Sequence, residues 1–203
     1  QGPNMRSPGG GFLGWFAIKF MGKVNPQSVQ EGIRRLDLQA EDTFVELGAG
    51  HGAGLSAIAE METSPKRIVC VEISERFRAT LRKTIASLPK ELPIEVHGED
   101  CKKMPYLENE SVDKIFGLNV VYFLDPLPVY LEEIHRVLKP GGFVSFGGKF
   151  GFPPTDTKEF INIEPDAIID AMKKAGFDVS REEVIVDEKN VKMNYTEIKA
   201  TKK

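Results

Sequence analysis

Apolar residues recur along this chain in two rhythms, and their alternation predicts the architecture. Five stretches place apolar side chains three or four residues apart. They are Val29, Ile33 and Leu36; Leu55, Ile58 and Ala59; Phe77, Leu81, Ile85 and Leu88; Leu127, Tyr130, Leu131, Ile134 and Leu138; and Ile168, Met172 and Ala175. That spacing lines one face of a helix. Between them lie short segments over 43–47, 67–71, 94–97, 112–118 and 143–147 that read as strands, the first a core strand and the second buried. Start and stop signals agree. Asn25-Pro26 opens the first helix, Ser74 caps another, Pro165 opens the last and Gly176 ends it. The tail changes rhythm. Residues 179–186 and 191–199 alternate apolar with polar, as antiparallel strands do, across the polar link Asp187-Glu188-Lys189-Asn190.

Strands that alternate with helices imply an α/β fold, a doubly wound and mostly parallel sheet with helices on both faces. The tail adds an antiparallel pair, for seven strands in all. Such folds bind ligands beyond the carboxyl ends of the strands, where the strand order reverses. The turn after the first core strand lies at that point.

Composition narrows the partners. The 203 residues carry a formal net charge of −3, without the basic surplus that phosphate-tracking proteins show. Nucleic acid is therefore not an expected partner. Cys70 and Cys101 are the only cysteines. Both sit in or beside core segments, which predicts free thiols and a cytoplasmic setting. Gln1-Gly2-Pro3 reads as the remnant of a cleaved tag, with Met5 as the native start. The most apolar run, from Phe12 to Met21, is shorter than the roughly 20 residues a membrane span needs. Residues 5–40 are expected to form an arm or lid followed by a helix, and residues 41–203 the main domain. Phe12, Trp15, Phe16 and Phe20 would face an apolar ligand if the arm is a lid.

The stretch Val45-Glu46-Leu47-Gly48-Ala49-Gly50-His51-Gly52-Ala53-Gly54 carries the chemistry. It joins a strand to a helix through glycines, so the backbone can approach a ligand closely, and the helix start directs free N–H groups there. Gly48-x-Gly50-x-x-Ala53 satisfies the relaxed dinucleotide fingerprint. Glu46, at the strand end, would repel a pyrophosphate but suits a cation. Glu72 ends the second strand, where a carboxylate takes ribose hydroxyls. Asp100 follows the third strand, where an acceptor suits the exocyclic amine of a base. No His-x-Asp or Cys-x-x-Cys spacing suggests a metal site.

At these residues the chain resembles the class I methyltransferases that use S-adenosylmethionine. Glu46-Leu-Gly-Ala-Gly-His-Gly52 is similar to that family's acidic-x-Gly-x-Gly-x-Gly signature. Val71-Glu72-Ile73-Ser74, Gly98-Glu99-Asp100, Asn119 to Phe123, and Val137-Leu-Lys-Pro-Gly-Gly142 follow in the family's order. Within the family the chain resembles the small-molecule enzymes related to ubiquinone and menaquinone methylation. The resemblance implies a Rossmann-like methyltransferase fold with a cofactor site over 41–203. Gly48, Gly50 and Gly52 would line the methionine part, and Glu46 would engage its ammonium. Glu72 would hold the ribose, Ile73 and Cys101 would flank the adenine, and Asp100 would bind its amine. Asn119 would close the site beneath the methionine. The Asn-Pro-Pro-Tyr element of nucleic-acid amino methyltransferases is absent, with Val120 and Val121 where its prolines would stand.

Methyl transfer from a sulfonium needs positioning first and a base only if the acceptor must lose a proton. His51 and Tyr122 are the catalytic candidates. His51 alternatively contacts the cofactor from the helix start, and Tyr122 is alternatively a rim aromatic. His97 reads as structural and His135 as solvated. The acceptor is expected to be small and apolar or aromatic, because Phe150, Phe152 and Phe160 crowd the 148–164 loop. Two other functions fit the residues less well: an NAD(P)-dependent oxidoreductase, and a non-catalytic scaffold that binds the cofactor.

Overall fold

The computed structural model describes residues 26–150, 160–188 and 191–203. The tag remnant, the arm over 5–24, the Asn25 cap and Phe152 lie outside those residues. The elements are α1 (Pro26–Arg35), β1 (Thr43–Leu47), α2 (Ala53–Ala59), β2 (Arg67–Val71), α3 (Glu75–Ala86), β3 (Ile94–His97), β4 (Val112–Leu118), α4 (Leu127–Val137), β5 (Leu138–Gly148), α5 (Pro165–Lys174), β6 (Phe177–Glu188) and β7 (Val191–Lys202). A 3₁₀ turn, Val121–Phe123, joins β4 to α4.

One seven-stranded sheet runs in the order β3-β2-β1-β4-β5-β7-β6. The first five strands pair in parallel, and β7 pairs antiparallel with both β5 and β6. The order reverses between β1 and β4, so a crevice opens at their carboxyl ends. This is the expected Rossmann-like methyltransferase architecture.

Alternate strand residues serve opposite layers. Val45 and Leu47 join the α4 and α5 side, with Leu131, Ile134 and Met172. Phe44 joins Ile33, Leu55, Ile58 and Leu81 on the α1–α3 side. By the same alternation Glu46 points toward α2. Ser74 caps α3, accepting the Phe77 N–H.

Boundaries of four elements differ from the sequence expectation. β5 begins at Leu138, because its first residue pairs with Val112 before a register shift near Lys114. β6 and β7 each extend to 12 residues, since every residue from Phe177 to Glu188 finds a partner. α3 stops at Ala86, so Leu88 packs on the core from beyond the helix.

Helix α1 is fastened through its C-terminal half. Gly32 lies against the Phe116 ring, where a methyl would fall 2.7 Å from Cε2. Arg35 donates to Glu197 at 2.9 Å and also to Glu182, and the Ser145 hydroxyl donates to Glu197 at 2.7 Å. This fixes Val29, one turn earlier on α1, beside the crevice.

Candidate functional site

The glycine turn hangs from the end of β2: Gly48 and Ala49 both donate to the Val71 carbonyl, at 2.8 and 3.2 Å. A cavity of about 170 Å³ opens above it. Gly48, Ala49, Gly50 and His51 form its floor, Glu72 and Ile73 one side, and Asp100 and Cys101 the next. Asn119, Val120, Phe123, Leu124 and Tyr130 complete the wall.

Gly52 does not line the cavity. At φ 90° it turns away, and a methyl there would meet Leu81 Cδ1 at 2.9 Å and Thr84 Cγ2 at 3.0 Å. Its role is to let α3 pack against the turn, and the Thr84 hydroxyl fastens the same place by donating to the His51 carbonyl at 2.7 Å. Gly54 has a different duty. A methyl on it would fall 2.6 Å from Glu46 Oε2, so only glycine leaves room for that carboxylate beneath α2.

Three carboxylates face the cavity in three different states. Glu46 is buried, and its Oε2 has no hydrogen-bond partner. Burial, with Glu72 nearby, pushes its carboxyl up to about 8. A buried acceptor without a donor is costly, so this atom marks a place shaped for a ligand donor. Glu72 is held firmly: Oε2 accepts the Gly50 N–H at 2.9 Å and Oε1 the Ser74 N–H at 2.8 Å. Burial raises its pKa, and those two N–H donors and Arg78 oppose the rise. Arg78 also braces the strand end by donating to the Glu72 carbonyl at 2.6 Å. Asp100 accepts the Lys102 N–H on Oδ1 at 3.2 Å and the Tyr130 hydroxyl on Oδ2 at 3.1 Å.

Asn119 takes a left-handed conformation at φ 57°, which asparagine tolerates better than most residues. Its N–H donates to the Gly147 carbonyl at 2.7 Å, binding the end of β4 to β5. His51 lies at the cavity floor, and burial lowers its pKa. Tyr122 sits behind the wall. It is 6% exposed, its hydroxyl donates to the Lys149 carbonyl at 2.9 Å, and burial raises its pKa. Its ring packs among Phe123, Phe150 and Phe160. The neighbouring Phe123 faces the cavity instead. The other histidines lie elsewhere: His97 stacks on Tyr106, and His135 sits edge-on to Phe177.

The family profile described as "Methyltransferase domain" matches residues 45–146, from the first core strand to the fifth. The chain belongs to the class I methyltransferases that use S-adenosylmethionine. The chain is 30% identical over 112 residues to malonyl-[acyl-carrier protein] O-methyltransferase of Marinomonas sp., a match covering 55% of this chain and 39% of that protein. It is 31% identical over 147 residues to carboxy-S-adenosyl-L-methionine synthase of Erwinia tasmaniensis, covering 71% and 55%. The first curated relatives are longer, and the matched region spans between 27% and 55% of their length. The fold is shared with phosphoethanolamine N-methyltransferase 2 of Haemonchus contortus, solved with phosphomonomethylethanolamine and S-adenosylhomocysteine. That likeness has a TM-score of 0.70 at 16% identity and covers 86% of this chain and 52% of that one. The family match sets aside the dinucleotide reading of the glycine turn.

The cavity fits the family's cofactor. Beside its α-carboxylate and the ring acceptors of adenine, S-adenosylmethionine presents an ammonium, a sulfonium, two ribose hydroxyls and an adenine amine, groups that are cationic or donors. The wall offers the unpartnered Glu46 oxygen, the anchored Glu72 carboxylate and Asp100. Among the described residues, no group of three His, Cys, Asp or Glu is spaced to hold a metal ion.

The sequence reading missed several wall residues. Tyr130 falls in the apolar stripe of α4, although a tyrosine hydroxyl among leucines requires a partner and so signals a polar neighbour. Val29, Leu118 and Phe123 also line the cavity, and no local pattern marks them.

Proposed function

We propose that this protein transfers a methyl group from S-adenosylmethionine to a small apolar or aromatic acceptor in the cytoplasm. The subgroup that fits best is the small-molecule enzymes related to ubiquinone and menaquinone methylation. One observation carries the acceptor class: beyond the carboxylates, the cavity wall is Val29, Leu118, Val120, Phe123 and Leu124. An aromatic cluster of Tyr122, Phe150 and Phe160 backs that wall, with Phe123 and Phe160 centroids 5.0 Å apart.

The bound cofactor supplies an electrophilic methyl on a sulfonium. The chain's own residues do the rest. Glu72, held by two backbone N–H groups, fixes the ribose. Glu46 offers its free oxygen to the ammonium, and Asp100 accepts from the adenine amine. Ile73 and Cys101 flank the base, while Gly48, Gly50 and Asn119 shape the methionine end. The apolar wall excludes water and holds the acceptor in line, and positioning of this kind supplies most of the rate enhancement. His51 is the base for acceptors that must lose a proton. Its lowered pKa keeps the imidazole neutral, and able to accept, at neutral pH. Tyr122 is assigned no proton transfer, since its hydroxyl is committed to Lys149; it shapes the acceptor wall through Phe123.

The test is transfer of labelled methyl from S-adenosylmethionine into a fractionated metabolite extract. Label in apolar or aromatic metabolites supports the reading. Label confined to hydrophilic compounds, nucleic acid or protein side chains overturns the acceptor class. Binding of the cofactor without any labelled product would assign the protein to the scaffold class.

A further inference from the structure

Asp100 lies on a segment between β3 and β4 that has no helix or strand of its own. Helix α4 holds that segment through three residues spaced three apart on one face. Arg136 donates to the Met104 and Leu107 carbonyls, at 3.2 and 3.0 Å. Glu133 accepts the Met104 N–H at 2.5 Å. Tyr130 is the third, and it alone of the three lines the cavity and reaches the residue that faces the base.

Tyr130 is 2% exposed, so its ring is fixed by packing. Its hydroxyl donates to Asp100 Oδ2, and the Lys102 N–H occupies Oδ1. A freely rotating carboxylate beside the cavity would accept from any donor, water included. One pinned at both oxygens presents its remaining lone pairs in one direction. We propose that Tyr130 is a positioning residue that makes the site specific for adenine, by holding Asp100 where it accepts from a 6-amino group and opposes a 6-oxo group. The proposal rests on the cofactor reading above and extends it to a residue outside the family signature. A carboxylate cannot donate, so a 6-oxo purine places acceptor against acceptor there.

The experiment compares binding of S-adenosylhomocysteine and its deaminated analogue S-inosylhomocysteine by calorimetry. The proteins are wild type, Tyr130→Phe, Asp100→Asn and the double variant, each checked by thermal melting. Tyr130→Phe keeps the ring and removes the hydroxyl alone. The adenosyl-to-inosyl affinity ratio is expected to fall by about fivefold in Tyr130→Phe, the worth of about one hydrogen bond. The double variant should match Asp100→Asn alone, because the tyrosine acts only through the carboxylate. A folded Tyr130→Phe protein with the wild-type ratio overturns the proposal. So does one that weakens both ligands equally, which is the mark of a packing role. Failure of the wild type to bind S-adenosylhomocysteine would instead remove the cofactor reading itself.

Discussion

Replacing Glu46 by glutamine should make the ligand-free protein more stable while making it a poorer cofactor binder. The carboxylate sits on β1 between Cys70 of β2 and Phe116 of β4, with Gly54 of α2 against it. The charged group that faces it is Glu72, another carboxylate. Its carboxyl titrates at about 8, against an ordinary 4.5 in the unfolded chain. From pH 4.5 to 8 the native state therefore binds the extra proton, so native stability falls as pH rises. The loss is about 3 kcal/mol at pH 7 and levels off near 5 kcal/mol above pH 8, at about 1.4 kcal/mol per tenfold change in proton concentration.

Glutamine does not titrate. The difference in unfolding free energy between Glu46→Gln and wild type should then grow by about 2 to 3 kcal/mol from pH 5 to pH 7. A buried amide without a partner lowers the variant's stability by a constant amount, which shifts that difference without changing its slope. Glu31, Glu75, Glu95 and Glu133, whose pKa values are lowered by arginine partners, change stability below pH 4.5, outside the window. Urea unfolding at pH 5, 6, 7 and 8 measures the slope. A difference that stays flat across that range would refute the buried, uncompensated carboxylate. The paired measurement is cofactor affinity, which should weaken at least about tenfold in the variant, because its side chain cannot ionise to pair with the ammonium.

Other outcomes follow from the same geometry. Glu72→Ala should weaken S-adenosylmethionine binding by at least tenfold, about 1.4 kcal/mol, in calorimetry, and unchanged affinity in a folded variant would remove the ribose assignment. Gly54→Ala drives a methyl against the Glu46 carboxylate and should destabilise by about 1–3 kcal/mol, with Glu46→Ala restoring most of that loss in the double variant. His51→Ala should lower kcat/KM by about a hundredfold for a proton-losing acceptor. In the wild type the acid limb of that profile should lie below pH 6.5, because burial favours the neutral imidazole, and a limb above 6.5 would exclude His51 as the base.

The bounds of β1, β2, β3 and β4 match the segments read from the sequence; β1 and β2 were legible because strands covered on both faces must be largely apolar, whereas β3, at the sheet edge, is only half-buried. Glu46 was legible for the same reason: a charge inside such a run must have a purpose. The cavity wall was legible only in part. The glycines share one motif, yet Gly52 serves the packing of α3 and Gly54 makes room for a side chain. Motif spacing does not report which way each one faces. Tyr130 and Asp100 lie 30 positions apart and meet only because α4 crosses the segment after β3. The 3₁₀ turn decides that Phe123 faces the cavity while Tyr122 faces Lys149, and that choice depends on contacts with β5 and residues near 160.

The cavity's carboxylates bear on why stability and binding should oppose each other here. Glu72 receives two N–H donors and Asp100 receives two donors of its own, so each is oriented before any ligand arrives. Glu46 is left with an unpartnered oxygen at the bottom of the site. A core selected for stability alone would place an apolar residue there, as the flanking Val45 and Leu47 are. At neutral pH the raised pKa keeps the Glu46 carboxyl largely protonated in the empty site, and an entering cation, which favours the carboxylate, draws that proton off. The corner is therefore tuned toward a positively charged ligand by the same burial of Glu46, reinforced by Glu72, that weakens the empty protein as pH rises.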